Sequence, residues 1–189
     1  MPDTVAGLVL AAGGSARLGR PKQLLPFRGG TLLDAVLATA RACPFDQRVV
    51  ALGGSAEDVR AAAMEDEQPV PYARLTTTSN PDRSAALDPR CDVLVLMLGD
   101  QPGVTAGTVR ALLAGRGDAP LAVCRYDDGR GHPFAFAAGV FGELGALHGD
   151  KAVWKLLDRR PADVAEVAVP GAVPLDVDTW ADYEAVLAT

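Results

Sequence analysis

The chain is poor in the residues that most often announce a metal or redox function. It has two histidines and three cysteines, Cys43, Cys91 and Cys124, far apart and without any CxxC pair. Such spacing excludes a zinc site of ordinary form and a disulfide framework. Each cysteine sits among apolar residues, which predicts small buried thiols in a reducing, cytoplasmic setting. No apolar run approaches the roughly 20 residues of a membrane span. The first residues, MPDTVAGLVLAAGG, carry an acid and no early Lys or Arg, so they read as a first strand and not as a signal peptide. A net charge of −6 argues against partnership with nucleic acid or an anionic membrane.

What is present is an ordinary globular composition, 49% apolar and 22% charged over 189 residues. That length predicts one domain, 1–189, with a core that needs no staples. Apolar runs of strand type alternate with amphipathic stretches, the pattern of a mostly parallel sheet covered by helices. Strands are expected at Val5–Ala11, Gln47–Leu52, Tyr72–Thr76, Val93–Leu98, Leu121–Cys124 and Ala165–Val169. Helices are expected over Thr31–Cys43, from Ser55 to about Met64, over Thr105–Ala114, and as short pieces from Val140 and Lys151. The segment from Gly131 reads as extended and antiparallel, and breaks the alternation. Thr31 with Asp34, and Thr179 with Asp182, have capping-box spacing.

The first strand runs into Ala12-Gly13-Gly14-Ser15-Ala16-Arg17-Leu18-Gly19-Arg20-Pro21-Lys22. In open parallel sheets ligands bind beyond the carboxyl ends of strands. Glycines there present backbone N–H groups with no side chain in the way, suited to phosphate oxygens. Arg17 and Lys22 add cations able to neutralise a triphosphate. The spacing is neither a Walker loop, because Gly19 is followed by Arg-Pro, nor a GxGxxG fingerprint. At the end of the most apolar strand stands Gly99-Asp100-Gln101-Pro102. Asp100 is placed either to cap the next turn or to hold Mg²⁺, which usually takes only one or two protein carboxylates.

The loop matches LAAGxSxRxGxxK at every fixed position, and so resembles the MobA-like nucleotidyltransferases. Within that family it looks most like the molybdenum-cofactor cytidylyltransferases. The resemblance extends through Asn80-Pro81, GDQP, Gly131-His132-Pro133, Gly149-Asp150 and Asp176-Val-Asp178-Thr179. It implies an α/β fold of three-layer α/β/α type, with a Rossmann-like, mostly parallel sheet as in nucleotide-diphospho-sugar transferases. It implies that Leu10, Ala11, Ala12, Gly13, Gly14, Ser15, Arg17, Lys22, Asn80 and Asp100 bind the nucleotide. Arg17, Lys22 and Asp100 would be catalytic, and Asp100 and Asp178 would hold Mg²⁺, with Asp176 standing behind Asp178. Gln101, Pro102, His132, Pro133 and Asp150 would border the acceptor.

The reaction implied is attack by the phosphate of a molybdopterin-type cofactor on the α-phosphorus of an NTP, expelling pyrophosphate. Ala11-Ala12-Gly13 is similar to relatives that use CTP, where those using GTP carry Leu-Ala-Gly-Gly. Two departures stand out. The Gly- and Ser-rich stretch expected after Asn80-Pro81 is replaced by Asp82-Arg-Ser-Ala-Ala-Leu87, and Trp154 occupies the place of an arginine. They keep open another acceptor, such as a sugar phosphate, and a non-catalytic maturation factor serving a molybdoenzyme apoprotein. A flavin- or NAD-dependent reductase is disfavoured by the lack of GxGxxG. A monomer or weak dimer is expected.

Overall fold

The structure, a computed structural model, describes residues 3–13, 15, 17–53, 59, 72–74, 87–146 and 151–189. Nine strands are described: β1 (Val5–Ala11), β2 (Pro26–Phe27), β3 (Gly30–Thr31), β4 (Gln47–Leu52), β5 (Tyr72–Arg74), β6 (Val93–Leu98), β7 (Leu121–Tyr126), β8 (Gly129–Ala137) and β9 (Val164–Ala168). The α-helices are α1 (Leu32–Arg41), α2 (Ala106–Arg116), α3 (Phe141–Gly145), α4 (Ala152–Arg159) and α5 (Trp180–Leu187).

Seven strands form one sheet in the order β5-β4-β1-β6-β8-β7-β9, and β2 and β3 make a separate small ribbon. All neighbours pair in parallel except β8, which runs antiparallel to both β6 and β7. The central strands read as continuous apolar runs because both faces are covered. Along β6, Val93, Val95 and Met97 point to one face, with the residues of α1 (Leu33, Val36, Leu37) and α2 (Val109, Leu112). Leu94 and Leu96 point to the other, with Phe134, Phe136 and the α4 residues Leu156 and Leu157. This period-two split of one strand between two cores produces the expected three-layer α/β/α arrangement.

Register fixes where a ligand can sit. Ala11 of β1 lies opposite Leu52 of β4, and Leu10 lies opposite Leu98 of β6. The loops after these three strands therefore emerge at one edge. Moving from β1, the chain goes to β4 on one side and then crosses to β6 on the other. That reversal opens a crevice at the carboxyl ends of β1 and β6.

Several boundaries differ from the sequence expectation. The extended segment begins at Gly129 and forms a full antiparallel strand. β7 runs two residues further, to Tyr126, and β9 begins one residue earlier. The two-residue strands β2 and β3 carry no periodicity to read. Of the helix expected from Ser55 to about Met64 only Val59 is described, and it is helical; the last two residues of the expected strand at Tyr72 lie outside the described residues. Both capping boxes form as read, at Thr31 and at Thr179. All three cysteines are free and buried. Among the described residues no helix is long and apolar enough to cross a membrane.

Candidate functional site

The loop after β1 is braced from behind. Leu18 and Gly19 both donate backbone N–H groups to the Ser15 carbonyl, and Gly19 turns at φ +71°. The Ser15 hydroxyl accepts from the backbone N–H of Lys22 at 2.7 Å, which folds the loop back on itself. Lys22 and Gln23 begin a short 3₁₀ turn. Gln23, 3% exposed, donates its amide to the Ala11 carbonyl at 2.8 Å and to the Gly13 carbonyl at 3.4 Å. Leu10 and Ala11 thus serve the scaffold: the Leu10 carbonyl accepts from Gly99 N–H at 2.8 Å. Ala12 is half-buried and Gly13 is exposed.

Two glycines from neighbouring strands close on this loop. A Cβ at Gly53, just past β4, would lie 2.4 Å from the Ala12 carbonyl oxygen. One at Gly99, just past β6, would come within 3.0 Å of the Ala11 Cβ. Neither the Gln23 brace nor the Gly53 contact follows from the loop motif. Their only signals in the sequence are a lone polar residue ahead of Leu24-Leu25 and a glycine directly ending a strand.

Lys22 carries the electrostatics. Its ammonium, nearly buried, pairs with the buried carboxylate of Asp100 and with Asp178 at 2.7 Å. Arg17, largely exposed, reaches the other Asp178 oxygen at 3.1 Å. Burial works against the charge on Lys22, but Asp100 and Asp178 outweigh it and hold its pKa above the usual value. Burial pushes the Asp100 carboxyl up, opposed by the ammonium beside it and reinforced by nearby Asp176. The hydrogen bond from Lys22, ahead of the weaker pull of Arg17, holds Asp178 below the usual carboxylate range.

Asp178 comes from the far end of the chain, and a small core explains how. Val177 is fully buried with Leu18, Leu25, Phe27, Leu32 and Val186. Its backbone N–H donates to the Asp100 carbonyl at 3.2 Å, and the Tyr183 hydroxyl donates to the Pro26 carbonyl. Asp182, the reciprocal capping residue of α5, accepts from the backbone N–H groups of Asp178 and Thr179 at 3.2 and 2.7 Å. Asp178 is thereby fixed from two sides. Its backbone is held by the cap while its side chain turns to Lys22.

Two carboxylates that already share one cation bring their oxygens to a single point. All-oxygen donors suit Mg²⁺, which usually keeps water and phosphate for its remaining positions. Among the described residues no group of three or more His, Cys, Asp and Glu gathers into a metal-holding cluster.

The remaining expected site residues form a less unified set. Gln101 is buried; its amide donates to the Pro174 carbonyl at 3.0 Å, and its Oε1 is without a partner among the described residues. Pro102 is half-buried beside it. His132 precedes Phe134, which pairs with Leu96 of β6, so His132 lies toward the same carboxyl edge as Asp100. Its ring packs against Phe134 with centroids 4.3 Å apart and faces Trp154 edge-on at 6.2 Å. Arg130 covers the Trp154 ring at 5.6 Å. Burial pushes the His132 pKa down to about 4, so the ring is neutral at pH 7. Pro133, buried, follows it. No hydrogen bond or ion pair joins His132 to Lys22 or Asp100 among the described residues. Gly14, Asn80 and Asp150 lie outside the described residues.

A braced glycine loop, a Lys–Asp–Asp cluster and a crevice where a parallel sheet reverses define a nucleotide-binding α/β protein. The chain belongs to the MobA-like NTP transferase domain family, which it matches over residues 7–164, and as a member of it is a nucleotidyltransferase. It is 32% identical over 152 residues to nicotine blue oxidoreductase of Paenarthrobacter nicotinovorans, covering 72% of each chain. Its structure superposes on that of Rv0371c from Mycobacterium tuberculosis H37Rv with a TM-score of 0.92, at 46% identity and with 100% of both chains covered. A complex of Rv0371c with manganese matches at a TM-score of 0.88 and 46% identity, covering 98% of this chain and 99% of the other. That protein accepts a divalent cation, in keeping with divalent-metal dependence in the family.

Proposed function

We propose that residues 1–189 act as one Mg²⁺-dependent cytidylyltransferase domain, cytoplasmic, that transfers CMP from CTP to the phosphate of a molybdopterin-type cofactor. The carrying observation is the Lys22 ammonium held between Asp100 and Asp178 at the mouth of the glycine loop. In the reaction an acceptor phosphate oxygen bonds to the α-phosphorus of CTP. The bond from that phosphorus to the β-phosphate oxygen breaks, and pyrophosphate leaves with the electron pair. No protein group becomes covalently attached, so catalysis is positioning and charge neutralisation.

The roles divide as the family resemblance implies. Backbone N–H groups around Gly13, Gly14 and Ser15 cradle the phosphates, with Leu10 and Ala11 anchoring the cradle. Arg17 and Lys22 neutralise charge on the triphosphate. Asp100 and Asp178 hold Mg²⁺, which when bound supplies Lewis-acid charge neutralisation at the phosphate oxygens. Ala12 narrows the base pocket against a purine, and Asn80 borders the nucleotide. Gln101, Pro102, His132, Pro133 and Asp150 border the acceptor, where a neutral His132 donates or accepts a hydrogen bond without adding charge.

An NTP screen with purified molybdopterin, following pyrophosphate, tests this reading. CTP should give pyrophosphate and a CMP-linked cofactor, and a preference for GTP would refute the role of Ala12. Turnover only with a sugar phosphate would keep the chemistry and replace the acceptor. Tight nucleotide binding without pyrophosphate would favour a maturation factor that hands cofactor to a molybdoenzyme apoprotein. The likeness to nicotine blue oxidoreductase favours one further reading, a flavin- or NAD-dependent reductase. Nicotinamide-cofactor oxidation that survives loss of Asp100 would select it.

A further inference from the structure

Lys22 already occupies the point on which the two carboxylates converge. Its ammonium touches Asp100, which is 8% exposed, and lies 2.7 Å from Asp178. Arg17 completes the pairing on Asp178 from outside. Two carboxylates and two cationic side chains thus meet here, with Asp176 near Asp100 and Asp182 behind Asp178. A divalent ion held by Asp100 and Asp178 together needs the point that a cation already fills. Lys22 is the one in the way. Its backbone is pinned through the Ser15 hydroxyl, but its side chain is a flexible stem packed under Gly13, where an added Cβ would meet the Lys22 Cε at 3.1 Å. The stem thus lies directly beneath the phosphate-binding backbone, and the ammonium needs only a change of side-chain torsions to turn from the carboxylates to that loop.

We infer that Lys22 is a displaceable internal cation: it occupies the divalent-metal position of the metal-free enzyme, and metal entry and delivery of its ammonium to the triphosphate are one exchange. The inference rests on the reading of Asp100 and Asp178 as metal carboxylates. It adds that Lys22 competes with the metal when no nucleotide is present, and cooperates with it once phosphates offer the ammonium a new partner. Metal and nucleotide then bind with positive coupling, each making room for the other. The competition lowers apparent metal affinity by the fraction of time the position is free of the ammonium.

Binding of Mn²⁺ alone to the full chain, followed by electron paramagnetic resonance without nucleotide, tests the exchange in wild type and Lys22→Met. Methionine keeps an apolar stem and removes the charge. The variant should bind Mn²⁺ about tenfold more tightly or better, as expected if the ammonium holds the position at least nine-tenths of the time. Equal or weaker binding by a folded variant overturns the exchange while leaving the metal reading intact. No binding by either protein overturns both.

A second measurement needs no variant. The chain has three lysines, Lys22, Lys151 and Lys155, and the latter two are exposed. Reductive methylation read by peptide mass should spare Lys22 in metal-free protein. Added Mg²⁺ should raise its modification several-fold while Lys151 and Lys155 stay constant. Unchanged or lower modification of Lys22 with Mg²⁺ bound would overturn the proposal even if the Met variant failed to fold.

Discussion

His132 gives the chain a defined weakness to acid. In the unfolded chain a histidine takes up its proton near pH 6.5, whereas burial against Phe134 and Trp154 pushes the native value down to about 4. A histidine with a depressed native pKa binds more protons unfolded than folded. Its stabilising effect is therefore complete above pH 6.5 and is lost as pH falls toward 4. At roughly 1.4 kcal/mol per tenfold change in proton affinity, the full linkage is about 3 kcal/mol. Between pH 7 and pH 5 the same relation gives about 2 kcal/mol, an upper value because water reaches part of the ring. His132→Phe keeps an aromatic ring in the cluster and removes the titration. Urea unfolding of both proteins from pH 7 to pH 4.5 isolates the effect from carboxylates that titrate in each. The wild type should lose stability relative to the variant by about 2 kcal/mol on reaching pH 5. Parallel stability curves would refute the buried neutral histidine.

Other expectations concern the loop and its support. Gly53→Ala puts a methyl against the Ala12 carbonyl, where backbone must shift. It should raise the KM for nucleotide several-fold with a smaller effect on kcat, measured by initial rates. Asp182→Ala removes the acceptor that holds the Asp178 and Thr179 N–H groups. Loss of that cap should cost about 1 kcal/mol in urea unfolding, and Mn²⁺ affinity should fall because Asp178 is no longer fixed.

How far the sequence reaches depends on whether a signal is local. β1, its glycine loop and β6 running into Gly99-Asp100 are legible because apolar runs and their terminators are contiguous in the chain. The capping boxes at Thr31 and Thr179 are legible for the same reason. The extended, antiparallel character of the segment from Gly131 is readable too, but its insertion between β6 and β7 is not, since strand order depends on pairing that no local pattern encodes. Asp178 illustrates the same limit within the site. Its DVDT motif is readable, but its contact with Lys22 depends on Val177 burying among residues of the first turn and α1. Gln23 escapes a sequence reading because a polar residue after a lysine looks solvated until its amide is seen bridging two loop carbonyls.

The central claim is nucleotidyl transfer at the Lys22–Asp100–Asp178 cluster. The most direct measurement is pyrophosphate release from CTP with Mg²⁺ and molybdopterin, comparing wild type with Asp100→Asn. The wild type should release pyrophosphate in step with CMP-linked cofactor, and the folded variant should be slower by about a hundredfold or more, as for loss of a charge-stabilising group. Equal rates in the two proteins, or CTP binding with no pyrophosphate from the wild type, would contradict the account.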